Sequence, residues 1–334
     1  MPDADSANRC ELFFGIDVGG TDVKLGLVDA SGHVHARHRV PTAELVTPSR
    51  VFSFAMDYAR HEASKLGCPL IAVGLAVPGV LDTESFELRE VVNLHGWLGV
   101  PLRDQLREVS KLPTSVINDA NSAAFAEHAA RDLGEKSLAL VTLGTGVGCG
   151  VVFSGRAHGG DHGCAGELGH IAIDFAKDAP RCTCGSRGHL ECYAGARGVV
   201  NRLRAAIEQA EEPVPSELAS DEVTPRIIAD YAEQGNAICR AIVDETAEYV
   251  GRAVGLMGQV ADPAVVLLGG AMTFGGSQTE TGRRFLDKVR DAVKATTLVQ
   301  VGGNMQIDFA TLGADAGMLG AAMVARQEAS QHSF

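Results

Sequence analysis

The chain has little that would suit it to a membrane or to secretion. Its 334 residues contain no uninterrupted apolar stretch near the roughly 20 residues that a bilayer-spanning helix needs. The polar start, Met1 to Asn8, also lacks the basic flank and apolar segment of a secretion signal. We therefore expect a cytoplasmic protein that makes no membrane contact.

Positive charge is also scarce. Lysine and arginine number 29 against 42 aspartate and glutamate residues, which gives a formal net charge of −13. A negative field of this kind repels phosphate backbones and anionic lipids, so we expect no nucleic-acid partner. The chain does contain enough apolar residues, 46%, and enough length for two compact units that each have a core.

The eight cysteines divide into two groups. Five are scattered through apolar or small-residue segments, as reduced intracellular thiols usually are, and are predicted to be reduced: Cys10, Cys68, Cys149, Cys164 and Cys239. The other three lie between Cys182 and Cys192. This clustering favours metal chemistry over a disulfide framework.

Two glycine-centred segments share one plan. Leu12 to Val28 alternates apolar and small residues around Gly19-Gly20-Thr21, and Leu138 to Phe153 does so around Gly144-Thr145-Gly146. Each is typical of strand, tight turn and strand, and the repetition predicts a duplicated α/β lobe with a central cleft. One glycine hairpin is more often only a turn, but a facing pair is suited to hold a triphosphate. Neither segment has the Gly-Lys-Ser/Thr ending of a P-loop or the pattern of a dinucleotide site.

Hydrophobic periodicity predicts the other main elements. The predicted helices cover Phe52 to Leu66, Asn118 to Arg131, Ala237 to Val260 and Ala316 to Gln327. The predicted buried strands are Ile71 to Val77 and Ala264 to Leu268, and Glu208 to Thr224 is predicted to be an exposed connection.

Two carboxylates stand at positions suited to phosphoryl transfer. Asp17 precedes the first glycine turn and offers a hard oxygen for a hydrated magnesium ion. Asp119 follows Asn118 at a strand-to-helix junction, where a carboxylate can accept the proton of an attacking hydroxyl. The other interpretation is that Asp119 only caps the helix, since Asn and Asp are good caps. Asn118 is predicted to hydrogen-bond a substrate hydroxyl.

Four metal-binding side chains lie near one another in the sequence. Cys182 and Cys184 are separated by one residue, His189 follows them and His170 precedes them. These are the number and type of ligands that close a tetrahedral structural zinc site. The alternative is that they are ordinary surface thiols and histidines.

Through these motifs the chain resembles the ROK group of bacterial sugar kinases, particularly its glucokinases. The resemblance extends from Phe14 to Ala322 and is most specific between Gly166 and Glu191, which match the family's Glu-x-Gly-His and Cys-x-Cys-Gly-x-x-Gly-Cys-x-Glu elements. The family's phosphate, base and adenosine elements occur in the expected order, at Asp17 to Thr21, Asn118 to Asn121, Leu143 to Gly148 and Leu267 to Gly270.

The resemblance implies a two-lobed, actin-like ATPase fold of the ribonuclease H-like type. It implies a small lobe of residues 11–123, completed by a C-terminal helix over 315–328, and a large lobe of residues 124–314 with the zinc motif. It implies ATP-dependent phosphorylation of a hexose 6-hydroxyl with Asp119 as base, and a homodimer. The implied sugar ligands are Asn118, Glu167, His170, Glu191 and Gly79. The implied ATP and Mg²⁺ ligands are Asp17, Gly19, Gly20, Thr21, Lys24, Gly144, Thr145, Gly146, Gly269 and Gly270.

The sequence departs from the family pattern at one zinc ligand, because His189 stands where a third cysteine is expected. Histidine binds zinc well, so the simplest expectation is a structural Zn²⁺ held by His170, Cys182, Cys184 and His189. Cys192, three residues further on, is the alternative fourth ligand. By the resemblance, His170 has one ring nitrogen on zinc and the other towards a sugar hydroxyl.

Glucose is the expected hexose because the segment from Asn93 to Trp97 resembles one that glucokinases of the family carry near the sugar. Trp97, the single tryptophan, is also interpretable as a core anchor, and we favour that interpretation. An N-acylhexosamine kinase, acting on N-acetylglucosamine or N-acetylmannosamine, is the alternative enzyme, and a non-catalytic sugar-binding regulator is a third possibility. Repressors of the family carry a helix-turn-helix before the first hairpin, for which the roughly twelve preceding residues are too few.

Overall fold

A computed structural model describes residues 10–91 and 94–331, so the predicted polar start and Asn93 lie outside the described residues. The strands are β1 Leu12–Val18, β2 Asp22–Asp29, β3 Val34–Pro41, β4 Leu70–Val77, β5 Val80–Leu81, β6 Leu88–Glu90, β7 Thr114–Asn118, β8 Leu138–Leu143, β9 Val147–Phe153, β10 Arg156–Ala157, β11 Val265–Gly269 and β12 Gln306–Phe309. The helices are α1 Thr42–Leu45, α2 Pro48–Leu66, α3 Leu102–Ser110, α4 Asp119–Ala130, α5 Glu191–Ala194, α6 Ala196–Glu208, α7 Pro225–Glu233, α8 Ala237–Ala261, α9 Glu280–Thr296, α10 Val299–Gly302 and α11 Ala316–Gln331.

The long strands form two five-stranded sheets with one arrangement. The order is β3-β2-β1-β4-β7 in the first sheet and β10-β9-β8-β11-β12 in the second. In the first, β1 pairs antiparallel with β2 and parallel with β4. In the second, β11 pairs parallel with both β8 and β12. Because the strands follow one another in the same spatial order in both sheets, the predicted duplication of an α/β lobe is confirmed.

The contacts of the chain separate it into two compact units. The first unit comprises residues 1–134, 150–165 and 314–334, and the second comprises residues 135–149 and 166–313. A boundary at residue 123, as expected from the sequence, would cut through α4. The whole helix instead belongs to the first unit, where the Ser122 hydroxyl donates a buried hydrogen bond to the Gly317 carbonyl, 2.7 Å away, at the start of α11.

In the first unit, α11 packs closely on the sheet. A Cβ at Gly15 of β1 would lie 2.0 Å from the Met318 carbonyl oxygen, and one at Gly74 of β4 would lie 1.9 Å from that of Ala321. Only glycine permits this approach of helix and strand backbones. The C-terminal helix therefore belongs to the first unit.

In the second unit, helix ends follow local capping signals. Thr224 accepts a hydrogen bond from the Ile227 amide at the start of α7, and Asn236 does the same for Cys239 at the start of α8. The predicted long helix is α8, with 25 residues. Among the described residues, no helix combines the length and apolarity needed to cross a bilayer.

The expectation of reduced thiols is wrong for one pair. Cys10, before β1, and Cys68, between α2 and β4, form a disulfide with a Cα–Cα distance of 5.4 Å. The pair is separated by 58 residues in the sequence, and the scattered positions gave no sign of their proximity. Parallel pairing of β1 with β4 brings the residues before the two strands together. Cys149, Cys164 and Cys239 are thiols, as predicted.

Trp97 is part of the core of the first unit. Its side chain is fully buried, its indole N–H donates to the Val46 carbonyl at 3.3 Å, and its ring meets Phe52 edge to face. We expect Trp97→Ala to reduce the free energy of unfolding by about 3–5 kcal/mol, measured by urea titration. Leu98→Ala, at a neighbouring side chain that is 43% exposed, is the control and should cost less than about 1 kcal/mol. An unchanged unfolding midpoint in Trp97→Ala, with a raised KM for sugar, would favour the sugar-contact interpretation instead.

Candidate active site and metal centre

The junction of β7 and α4 holds the predicted base in the first unit. Asn118 is the residue that caps α4, since its side-chain oxygen accepts from the backbone amides of Ala120, at 2.9 Å, and Asn121, at 3.1 Å. Its amide nitrogen donates to the Gly79 carbonyl at 3.2 Å and to Asp119 Oδ1 at 3.1 Å. The capping role thus falls to Asn118 and not to Asp119. Three predicted residues, Gly79, Asn118 and Asp119, therefore lie together.

Asp119 is the first residue of α4 and is half-buried. Its Oδ1 also accepts from the Ala120 amide at 2.8 Å. Hydrogen bonds from an amide and from the Asn118 side chain stabilise an ionised carboxylate, and a helix N-terminus does the same. A carboxylate at such a junction is suited to accept the proton of a hydroxyl, which is the role proposed for Asp119.

The first glycine hairpin places Asp17 opposite Lys24. The two residues are paired across β1 and β2, and Lys24 Nζ lies 3.2 Å from Asp17 Oδ2. Burial raises the pKa of the Asp17 carboxyl, while the charge of Lys24 lowers it. The turn is closed by the Gly19 amide, which donates to the Asp22 carbonyl at 2.9 Å. A single carboxylate next to a glycine turn suits a bound Mg²⁺ ion, because Mg²⁺ keeps most of its water ligands and needs only one or two carboxylates from the protein.

The second unit contains the other predicted nucleotide residues. Gly144, Thr145 and Gly146 form the turn between β8 and β9, where the Gly144 amide donates to the Gly146 carbonyl at 3.0 Å. Gly269 ends β11 and Gly270 follows it. The loop after β11 returns to the end of β8, because the Met272 amide donates to the Leu143 carbonyl at 3.0 Å. The hairpin and the predicted adenosine loop are therefore neighbours.

The predicted sugar ligands of the second unit lie on two segments. Glu167 precedes a single 3₁₀ turn, Leu168–His170, and His170 is the last residue of that turn. The His170 Nε2 atom lies 3.9 Å from Glu167 Oε2. Glu191 is the first residue of α5, and its Oε2 accepts from the Val147 amide at 3.1 Å. Carboxylate and imidazole groups such as these can form hydrogen bonds with vicinal hydroxyls.

The four predicted metal ligands converge. One ligand atom from each of His170, Cys182, Cys184 and His189 lies within 4.8 Å of all the others. His170 Nδ1 is 3.4 Å from His189 Nδ1 and 3.6 Å from Cys182 Sγ, and Cys184 Sγ is 3.3 Å from His189 Nδ1. A tetrahedral ion with Zn–N and Zn–S bonds of about 2.0 and 2.3 Å separates its ligand atoms by about 3.3–3.8 Å. The donor set therefore fits zinc in both chemistry and spacing.

The two ring nitrogens of His170 point to different neighbours. Nδ1 belongs to the metal-ligand cluster, while Nε2 is on the side of Glu167. Burial, with His170 as the next cause, lowers the pKa of His189, which favours the neutral ring that binds metals. An imidazole that is held through one nitrogen presents the other at a fixed angle.

Cys192 lies near this cluster but is not one of its four members. Burial, and then the neighbouring Cys182, raise the pKa of its thiol to about 11. The four side chains that the structure brings together thus include His189 and not Cys192.

Two residues of the site region were given no role from the sequence. Asn121 is buried and its side-chain oxygen accepts from the Val151 amide at 2.8 Å, which ties the start of α4 to β9. Val147 donates its backbone N–H to Glu191. The sequence held a sign of the role of Asn121, because it is the second asparagine, after Asn118, at the start of one helix. Val147 had none, because any residue could supply that amide.

The two sheets of identical strand order define the class of protein: the chain has the actin-like, two-lobed α/β ATPase fold, in which the glycine turns follow the first strand of each sheet. The sequence model of the ROK family matches residues 13–328. The chain therefore belongs to the ROK family.

Three known proteins illustrate the similarity. A glucokinase of Halalkalibacterium halodurans is 33% identical over 328 residues, covering 95% of both chains. An N-acetylmannosamine kinase of Escherichia coli O1:K1 is 30% identical over 319 residues, covering 94% of this chain and 98% of its own. The crystal structure of a ROK family glucokinase from Streptomyces griseus, in complex with glucose and AMPPNP, is 28% identical, with a TM-score of 0.73 and coverage of 95% and 99%. These relatives support a sugar kinase.

Proposed function

We propose that the protein transfers the γ-phosphoryl group of ATP to the 6-hydroxyl of a hexose, and that the hexose is glucose. The observation that carries the proposal is the β7–α4 junction, where Asn118 caps the helix and leaves Asp119 with donors that stabilise its charge. The similarity to glucokinases over most of the chain supports glucose as the first substrate to test.

In this proposal Asp119 accepts the proton of the 6-hydroxyl as the oxygen attacks phosphorus. Asn118, Gly79, Glu167, His170 and Glu191 bind the other hydroxyls of the hexose. Because the transition state of phosphoryl transfer is loose, positioning and charge stabilisation contribute most of the rate enhancement. Transfer of the hydroxyl proton to Asp119 completes the step, because the attacking oxygen must lose this proton to become the oxygen of a phosphate ester.

ATP is proposed to bind through the two glycine turns, Gly19-Gly20-Thr21 and Gly144-Thr145-Gly146, with Lys24 close to the phosphates and Gly269-Gly270 at the adenosine. Asp17 would hold hydrated Mg²⁺, which supplies positive charge at the β and γ phosphates. Zn²⁺ at His170, Cys182, Cys184 and His189 would be structural, fixing the ring of His170 towards the sugar.

We also propose that the protein is a cytoplasmic homodimer, because ATP and free hexoses meet in the cytoplasm and the family resemblance implies a dimer. Mass measurement in solution tests the dimer.

The proposal is tested by ADP release from magnesium-ATP with glucose, mannose, fructose, N-acetylglucosamine and N-acetylmannosamine in separate reactions. We expect the highest kcat/KM on glucose. Turnover of an acetylated amine alone would keep the kinase and replace its substrate, and the similarity to N-acetylmannosamine kinases favours that second candidate. No turnover on any of the five sugars, in protein that contains zinc, would overturn the kinase and leave a sugar-binding regulator.

A further inference from the structure

The backbone of Val147, the first residue of β9, contacts both segments that carry proposed sugar ligands in the second unit. Its N–H donates to Glu191 Oε2 at 3.1 Å. Its carbonyl oxygen faces Gly169, which lies between Glu167 and His170, so closely that a Cβ there would approach it to 2.1 Å. The backbone of Val147, at the end of the proposed nucleotide turn, therefore contacts both segments that carry proposed sugar ligands.

Gly146, the preceding residue, leaves room for the Glu191 carboxylate. A Cβ at position 146 would lie 2.3 Å from Glu191 Oε2, well inside van der Waals contact. The Cβ would meet the end of a flexible side chain and no backbone atom, so the carboxylate would move while the fold remained. By contrast, a Cβ added at Gly159, a glycine with no proposed role, would have no heavy atom within 4 Å.

A second link joins the same turn to the residues just after Glu191. The Ala196 amide, at the start of α6, donates to the Gly144 carbonyl at 2.9 Å. The segment that carries Glu191 is therefore bonded to the turn at two places, by a side chain and by backbone. A charge-assisted bond of this kind holds the carboxylate in one rotamer before the substrate arrives.

We propose that Gly146 and the Val147 amide are positioning residues for Glu191, so that the nucleotide turn sets the affinity for the hexose. The inference rests on the proposed function and adds to it a route by which the two substrates are coupled. Nucleotide that reorders the turn must change sugar affinity, and by linkage the sugar changes nucleotide affinity by the same factor.

The first test is glucose binding by calorimetry, without nucleotide, to the wild type, Gly146→Ala and Gly159→Ala. We expect Gly146→Ala to weaken glucose binding roughly tenfold to a hundredfold, the loss expected for one misplaced charged hydrogen bond. Gly159→Ala should leave the glucose dissociation constant within about threefold, because its methyl group meets no atom of Glu191. Thermal unfolding of both variants should match the wild type.

The second test is a double-mutant cycle with Glu191→Asp, which withdraws the carboxylate by one methylene and returns the space that the methyl group added at position 146 would occupy. Glucose binding by Gly146→Ala/Glu191→Asp should then be no weaker than by Glu191→Asp alone. A purely structural role of Gly146 would instead make the two losses multiply.

The outcomes are distinguishable. Wild-type protein that binds glucose, with Gly146→Ala indistinguishable from Gly159→Ala or with fully additive losses, overturns this inference and leaves the proposed function standing. Wild-type protein that neither binds nor phosphorylates glucose overturns the choice of glucose, and the inference with it unless N-acetylmannosamine, run in parallel, gives the expected pattern.

Discussion

Asp119→Asn should lower kcat by about 10²–10⁴-fold while it changes the dissociation constant of the hexose only about threefold. Asparagine has the same shape as aspartate, and its side-chain oxygen can still accept from the Ala120 amide, as Asp119 Oδ1 does at 2.8 Å. The cap of α4 is unaffected because Asn118 provides it. The amide cannot take a proton, so only the step that needs a base is lost. Initial-rate kinetics and calorimetry with the hexose separate the two effects.

Asp132→Asn is the matched control, since Asp132 follows the other end of α4 and is exposed. Asparagine also tolerates its positive φ of 50°. This variant should keep wild-type kcat and KM. If Asp119→Asn kept kcat within about threefold, Asp119 would not be the base. If it lost hexose binding to the same extent as turnover, Asp119 would act as a sugar ligand.

The elements that sequence predicted correctly are those with a local signal. The two glycine hairpins, the helix that begins after Asn118 and the long α8 each depend on alternation, helical spacing or a cap within a few residues. The clustering of the proposed zinc ligands has a local signal as well, since three of them lie within eight residues, Cys182 to His189. His170 joins them through the antiparallel bridge between Ala172 and His189.

The features that were missed depend on contacts between distant segments. Cys10 and Cys68 meet because β1 pairs with β4, and nothing near either cysteine indicates that pairing. Residues 150–165 join the first unit partly through the bond from the Val151 amide to Asn121. Asn118 caps the helix and Asp119 does not. Which of the two residues is the cap depends on side-chain rotamers, which composition does not encode.

We expect the purified protein to carry zinc, and we expect Cys182→Ser and Cys184→Ser each to lose it. We expect about one zinc per wild-type chain and a small fraction of that in either variant, because three ligands of this type hold zinc far less tightly than four. Both cysteines lie in a short loop, in which the Cys182 amide donates to the Ser186 carbonyl at 2.8 Å. Loss of the ion should therefore lower the melting temperature and, by freeing His170, raise the KM for the hexose more than the KM for ATP.

The identity of the fourth ligand follows from two further variants measured by the same elemental analysis. Cys192→Ser should retain about one zinc per chain, because Cys192 lies outside the four-residue cluster, whereas His189→Ala should lose it. His189→Cys, which returns the residue that the family pattern has at this position, should bind zinc again, and its additional thiolate would place one more negative charge beside the sugar ligands. Zinc lost in Cys192→Ser and kept in His189→Ala would assign the ligand to Cys192. Zinc kept in Cys192→Ser and lost in His189→Ala would mean that a neutral imidazole replaces a thiolate without disturbing the geometry that orients His170.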